Sequence, residues 1–283
     1  MGSKPTISSV ETQNFAMMGS ILDIQNNKMP DQPSSRKKQV ALYVTCLVNS
    51  LRPDVGFACI KLIESLGFSV DVPPLQTCCG QPAFNGGQRA QAREVAKSQI
   101  KALQHYEHVV IPSGSCAGMM IIHYPELFAD DPGWLARAES LAARCMEFSQ
   151  FLEHHQWQPV KTRLSGNNST WAYHTSCSCR RETRSHEDGR ALLTKAGINL
   201  APLKGQEVCC GFGGSFAAKF NALSARMGQN KLADVAQCGA NGVTSADLGC
   251  LLHLESLSKT SALEFRHIAE VLADHAALNT DDL

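Results

Sequence analysis

Two Cys-Cys-Gly triplets, Cys78-Cys79-Gly80 and Cys209-Cys210-Gly211, constrain this chain more than any other feature of its sequence. Adjacent thiols suit neither a packed core nor an ordinary disulfide, and each pair here sits at the same place in a larger pattern. Cys46 precedes Cys78 with 31 residues between them, and Cys177 precedes Cys209 with the same 31. A further cysteine trails each pair, Cys116 after 36 residues and Cys250 after 39. From the first copy to the second the four offsets are 131, 131, 131 and 134. Such agreement marks an internal duplication with one cysteine quartet in each half.

A chain of 283 residues has room for two domains of the usual ~100–150 residues, which agrees with that period. Its formal net charge is zero, so no global field draws it to nucleic acid or to an anionic membrane. No run approaches the ~18 apolar residues of a membrane span, and the N-terminus has no basic-then-apolar secretory signal. We therefore expect a cytoplasmic protein without a transmembrane segment. In a reducing compartment, twelve cysteines clustered in this way indicate metal binding or redox chemistry rather than a disulfide framework.

Residues 1–37 read as a flexible leader, within which Phe15 to Ile24 can form a helical turn. A first domain is expected over 38–158, a linker over 159–169 and a second domain over 170–283. In the first, Gln39 to Thr45 predicts a buried strand ending at Cys46, Pro53 to Leu66 a helix stopped by Gly67, and Phe68 to Val72 a strand. A helix from about Gln88 to His105, a strand at His108 to Ile111 and a helix beginning near Ala117 follow. Gly133 to Gln156 predicts further helix. The second half repeats the order: strand Trp171 to Ser176, helix Glu187 to Ala196, strand Ile198 to Leu203, helix Phe220 to Gln237 and strand Gly242 to Ala246. Cys250 is expected to start a helix, and Ala262 to His275 to form the last one.

Strands alternating with helices predict two duplicated three-layer α/β domains of Rossmann-like type, each with a parallel sheet. Ligands of such sheets bind beyond the carboxyl ends of the strands. All eight quartet cysteines follow predicted strand ends, so Cys46, Cys78, Cys79 and Cys116 are expected at one edge. Cys177, Cys209, Cys210 and Cys250 are expected at the corresponding edge of the second half. Gly80, Gly86 and Gly87, and Gly211, Gly213 and Gly214, allow backbone to pass close to a bulky group there. The stretch Gly211-Phe212-Gly213-Gly214 lacks the spacing of a dinucleotide fingerprint.

Several phrases carry a resemblance: Val44-Thr45-Cys46-Leu47-Val48, Cys78-Cys79-Gly80-Gln81-Pro82-Ala83, Pro112-Ser113-Gly114-Ser115-Cys116, Thr175-Ser176-Cys177 and Cys209-Cys210-Gly211-Phe212-Gly213-Gly214. With His267-Ile268-Ala269-Glu270-Val271-Leu272, they make residues 38 to 276 resemble the family of CCG, or cysteine-rich, domain proteins. The resemblance implies an iron–sulfur cluster, [4Fe–4S] in type, in one or both halves, with zinc as the alternative. It also implies an iron–sulfur subunit of a multi-subunit, flavin-independent L-lactate-oxidising system, and not an NAD-dependent enzyme on its own. The family's fifth thiolate is missing: Met119 and His253 stand at its positions. His253 and Cys179 remain candidate extra ligands. The chain has no Cys-x₂-Cys-x₂-Cys-x₃-Cys-Pro run, so further clusters are expected on a ferredoxin-type partner.

Two other readings stand beside electron transfer. A zinc-bearing scaffold needs the same four cysteines, and thiol–disulfide or heterodisulfide chemistry at the pairs would survive metal removal. Cys59, Cys145 and Cys238 are expected at buried helix positions. Arg180 and Arg181 can hold a carboxylate or a partner, and His174 and His123 can move protons near the cysteines.

Overall fold

The computed structural model describes residues 38–159 and 169–276. The expected leader, with its Phe15–Ile24 segment, and most of the expected linker lie outside the described residues. The first half runs β1 (Gln39–Leu42), α1 (Cys46–Leu51), α2 (Pro53–Ser65), β2 (Ser69–Asp71), α3 (Gln81–Asn85), α4 (Arg89–Leu103), β3 (Val109–Ile111) and α5 (Gly114–Gly118). A π-helical turn (Met119–His123) leads into α6 (Tyr124–Leu127), followed by α7 (Pro132–Ala142), β4 (Cys145–Glu147) and α8 (Phe148–His154). In the second half the order is β5 (Thr170–Tyr173), α9 (Cys177–Arg181), α10 (His186–Lys195), β6 (Asn199–Ala201), α11 (Ser215–Lys219) and α12 (Asn221–Gln237). It closes with β7 (Gly242–Ser245), α13 (Leu248–Leu257), β8 (Glu264–His267) and α14 (Ile268–His275).

Each half contains a four-stranded parallel sheet, ordered β2-β1-β3-β4 and β6-β5-β7-β8. The chain reverses its direction of travel between β1 and β3, and between β5 and β7. That switch opens a crevice at the carboxyl ends of those strands. The period of two along β1 shows how both sheet faces are covered. Val40 and Leu42 enter a core shared with the second half, and Ala41 and Tyr43 enter another formed with α4 and α7.

Helix α2 forms because Pro53 opens it, Asp54 sits in its first turn, and Val55, Cys59, Leu62 and Ile63 make one apolar stripe. Each large side chain fully buried there contributes roughly 1.5–3 kcal/mol. The helix packs on α14, and α8 packs on α10. Since α2 duplicates α10 and α8 duplicates α14, the two halves meet through an approximate two-fold arrangement.

The seam also contains a buried polar centre. Asp247 Oδ1 accepts hydrogen bonds from the Ser113 and Ser115 hydroxyls, both at 2.7 Å, and Oδ2 accepts from the Ser176 hydroxyl. Cys179 fills the space beside Gly114, whose absent Cβ would stand 2.2 Å from the Cys179 sulfur.

Strands β4 and β8 correct the sequence reading, which expected unbroken helix from Gly133 to Gln156 and from Ala262 to His275. Both strands are short and run straight into helices without glycine or proline between. Their last residues, Glu147 and His267, serve as the N-caps of α8 and α14, so the helical pattern masks them. Cys145 accordingly lies on a strand, while Cys59 is buried in α2 and Cys238 caps the end of α12.

Glu147 is wholly buried, its Oε2 accepts from the Ser149 amide at 2.9 Å, and burial pushes its carboxyl up to about 8. The raised value makes the folded state hold this proton more tightly than the unfolded chain. Its contribution is complete below the unfolded value near 4.5 and is lost as pH rises through about 8, a change on the order of 5 kcal/mol. Glu147→Gln should therefore flatten the decline of urea-unfolding stability between pH 5 and 8. An unchanged slope would assign that pH dependence to other groups.

Candidate metal centres

Three segments deliver each quartet to the sheet edge. Thr45 caps α1 by accepting from the Val48 amide, which puts Cys46 in the first turn just past β1. The loop after β2 carries Cys78 and Cys79 to α3, and Cys116 lies in α5, where the Ser113 hydroxyl accepts from its amide at 3.4 Å. In the second half Ser176 caps α9 at Cys177, the loop after β6 carries Cys209 and Cys210, and Cys250 lies in the first turn of α13 behind Asp247.

The four sulfurs of each half form a continuous set. Cys79 and Cys116 sulfurs are 3.3 Å apart. Cys78 accepts from the thiols of Cys46 and Cys79 and from the Gly80 amide at 3.4 Å, which pulls its thiol well below the usual range and favours the thiolate. The duplicate is faithful: Cys209 accepts from Cys177, Cys210 and the Gly211 amide at 3.3 Å and is likewise lowered. The donors pay the reverse shift. Cys46 and Cys177 are pushed up by their bonds to those thiolates. Cys79 is raised first by Cys116 and then by Cys78, and Cys210 first by Cys209 and then by Cys250. Removing the remaining protons crowds like charges into a half-buried space. A cation among the sulfurs relieves that repulsion, so four thiolates with amide donors suit a tetrahedral metal ion or an iron–sulfur cluster. All twelve cysteines are free.

Gly80 and Gly211 make the turn possible. Their φ values are +86° and +92°, and a Cβ at Gly211 would stand 2.5 Å from the Ser224 carbonyl oxygen. A cleft of about 130 Å³ opens beside Cys46 and Cys78, between Asn49 and Gln76.

This construction decides the family. A profile described as "Cysteine-rich domain" (CCG) matches residues 40–121 and again 171–255. The chain belongs to the CCG family. Its relatives include the Lactate utilization protein A of Bacillus pumilus (strain SAFR-032), 40% identical over 240 residues, covering 83% of this chain and 98% of that protein. Those of Shouchella clausii (strain KSM-K16) and Halalkalibacterium halodurans are 41% and 40% identical, and each alignment spans 240 residues. The first covers 82% of this chain and 98% of the relative, the second 83% and 96%.

The other residues singled out in this CCG chain are distributed differently. Cys179 turns into the seam, where burial raises its thiol and Asp247 and Glu147 are its acidic neighbours. His253 lies one turn beyond Cys250, its Nε2 3.3 Å from the Ser224 hydroxyl, which donates to the Gly211 carbonyl. It thus braces the triplet loop from behind. Met119 is buried in the π-helical turn. Arg180 clamps the approach to Cys209, donating to the Glu207 carbonyl at 2.7 Å and pairing with its carboxylate at 2.8 Å. Arg181 is exposed and lowers the Cys177 thiol slightly against its neighbours' effect. His123 is engaged by Glu126 at 3.0 Å and by Glu182 of the other half at 3.4 Å.

One member of the site gave no obvious signal in the sequence. Lys231 is almost fully buried behind the second quartet, with its ammonium donating to the Gly205 carbonyl. The signal that could have found it is a lysine on the core stripe of α12, in register with Ser224, Gly228 and Val235. Among the described residues no helix is long and apolar enough to cross a membrane.

Proposed function

We propose that the two quartets bind iron–sulfur clusters and that the chain is an electron-transfer subunit of an L-lactate-oxidising system. One observation carries this reading: in each half, four cysteines from three distant segments converge with their sulfurs in hydrogen-bond contact. The relatives named Lactate utilization protein A supply the metabolic setting. Cys46, Cys78, Cys79 and Cys116 would hold one cluster, and Cys177, Cys209, Cys210 and Cys250 the other. Bound clusters would accept and release single electrons. The chain's own contribution is to fix the thiolates, to donate amide hydrogen bonds from Gly80 and Gly211, and to limit water.

Oxidation of L-lactate to pyruvate releases two electrons and two protons. Clusters in this subunit would carry the electrons one at a time towards a ferredoxin-type partner. The test is to add L-lactate anaerobically to the purified multi-subunit complex and follow its visible absorption. Bleaching without added NAD is expected; a spectrum that stays unchanged while pyruvate forms would remove this subunit from the electron path.

A zinc scaffold is the second reading, favoured by one feature of the second half. A His174 ring nitrogen and the sulfurs of Cys210 and Cys250 lie within 4.8 Å of one another, a mixed donor set that zinc accepts. Zinc analysis separates the two.

A further inference from the structure

The duplication provides an internal control, because every position around one quartet has a counterpart around the other. Gly80 and Gly211 abut equivalent points on α4 and α12: Ala92 and Val95 in the first half, Ser224 and Met227 in the second. The same register pairs Gln99 with Lys231. One strand earlier, Tyr43 at the end of β1 pairs with His174 at the end of β5.

At both positions the two halves differ in kind. Gln99 is neutral and satisfied within the chain, accepting from the Thr77 amide at 3.1 Å and donating to the Thr77 hydroxyl at 2.8 Å. Tyr43 donates to the Thr77 carbonyl. Around the second quartet stand a buried ammonium and a buried imidazole. Burial lowers the Lys231 pKa, but Asp234 and the sulfurs of Cys210, Cys209 and Cys177 oppose that shift, so its charge is felt by three ligand candidates. His174 is 1% exposed, and its Nδ1 has no hydrogen-bond partner. One of its ring nitrogens lies within 4.8 Å of the Cys210 and Cys250 sulfurs.

On the reading that both quartets hold iron–sulfur clusters, we propose that Lys231 and His174 set the second centre at a higher reduction potential than the first. Reduction adds one negative charge to a group already surrounded by thiolates. A nearby cation and the dipole of an adjacent imidazole stabilise that added charge, whereas Gln99 and Tyr43, both engaged by Thr77, do so far less. An electron entering the pair from a low-potential donor then settles in the second half. Its transfer oxidises the first centre by one electron and reduces the second by one, with no bond made or broken. The chain is thereby polarised, with the first half nearer the electron donor and the second nearer the exit.

The test is a potentiometric titration of the anaerobically purified full chain, followed by paramagnetic resonance. The steps are assigned with Cys46→Ala, which removes the first centre's signal. Lys231→Gln and His174→Tyr each import the residue that the first half already accommodates. Each is expected to weaken reduction of the second centre by about tenfold in equilibrium constant, or 59 mV for one electron, and to leave the first centre's step in place. Lys231→Arg, which keeps the charge, should retain the parental potential even if the glutamine variant binds iron less well. Equal steps in the parent, or an arginine variant shifted as far as the glutamine one, would overturn the proposal. Metal analysis of the parent distinguishes failure of the underlying reading: colourless, zinc-loaded protein removes the clusters themselves, whereas brown protein with unmoved potentials removes only the roles of Lys231 and His174.

Discussion

Replacing Asp247 by alanine is expected to destabilise the folded chain by about 4.5–9 kcal/mol, taking roughly 1.5–3 kcal/mol for each of three hydrogen bonds to a charged group. The residue is 4% exposed and accepts from Ser113, Ser115 and Ser176. Two of those hydroxyls cap ligand-bearing helices, Ser113 for the helix of Cys116 and Ser176 for the helix of Cys177, and Asp247 itself precedes the helix of Cys250. A single carboxylate thus ties together three of the segments that aim cysteines, across both halves. The variant should unfold at lower denaturant and also lose metal from both quartets. Asp247→Asn, which keeps one acceptor oxygen, should fall between. Chemical unfolding monitored together with metal content checks this. Loss of metal from the second half alone would show that the seam does not link the quartets.

The second large effect is expected from Cys210→Ser. Cys210 is 2% exposed and hydrogen-bonds to both Cys209 and Cys250, so it stands in the middle of its set. A serine hydroxyl is a harder and far weaker acid than a thiol and cannot replace it as a ligand to a soft metal centre. The variant should lose the second half's metal, retain the first half's, and slow lactate-dependent electron transfer by roughly a hundredfold or more, at the upper end of losses seen when metal-site partners are removed. Full metal content with normal turnover would exclude Cys210 as a ligand.

The eight cysteines and the parallel sheets were legible because their signals are local or periodic. Apolar runs such as Val40-Ala41-Leu42 identify buried strands, and the 131-residue offset identifies the repeat. Strands β4 and β8 were not legible, since each passes without a break into the helix that its own last residue caps. The role of Asp247 was hidden for another reason: its partners Ser113 and Ser176 come from elsewhere in the chain, and only the approximate two-fold meeting of the halves brings them together. Cys179 illustrates the same limit. Its spacing from Cys177 allows it to join the quartet, but the close approach permitted by Gly114 draws it into the seam.

The most direct test is to purify the full chain without oxygen and measure iron, acid-labile sulfide and zinc alongside a visible spectrum. Cluster binding predicts brown protein with roughly four irons and four sulfides for each loaded half, as cubane-type clusters require. Colourless protein holding stoichiometric zinc, with neither iron nor sulfide, would contradict it.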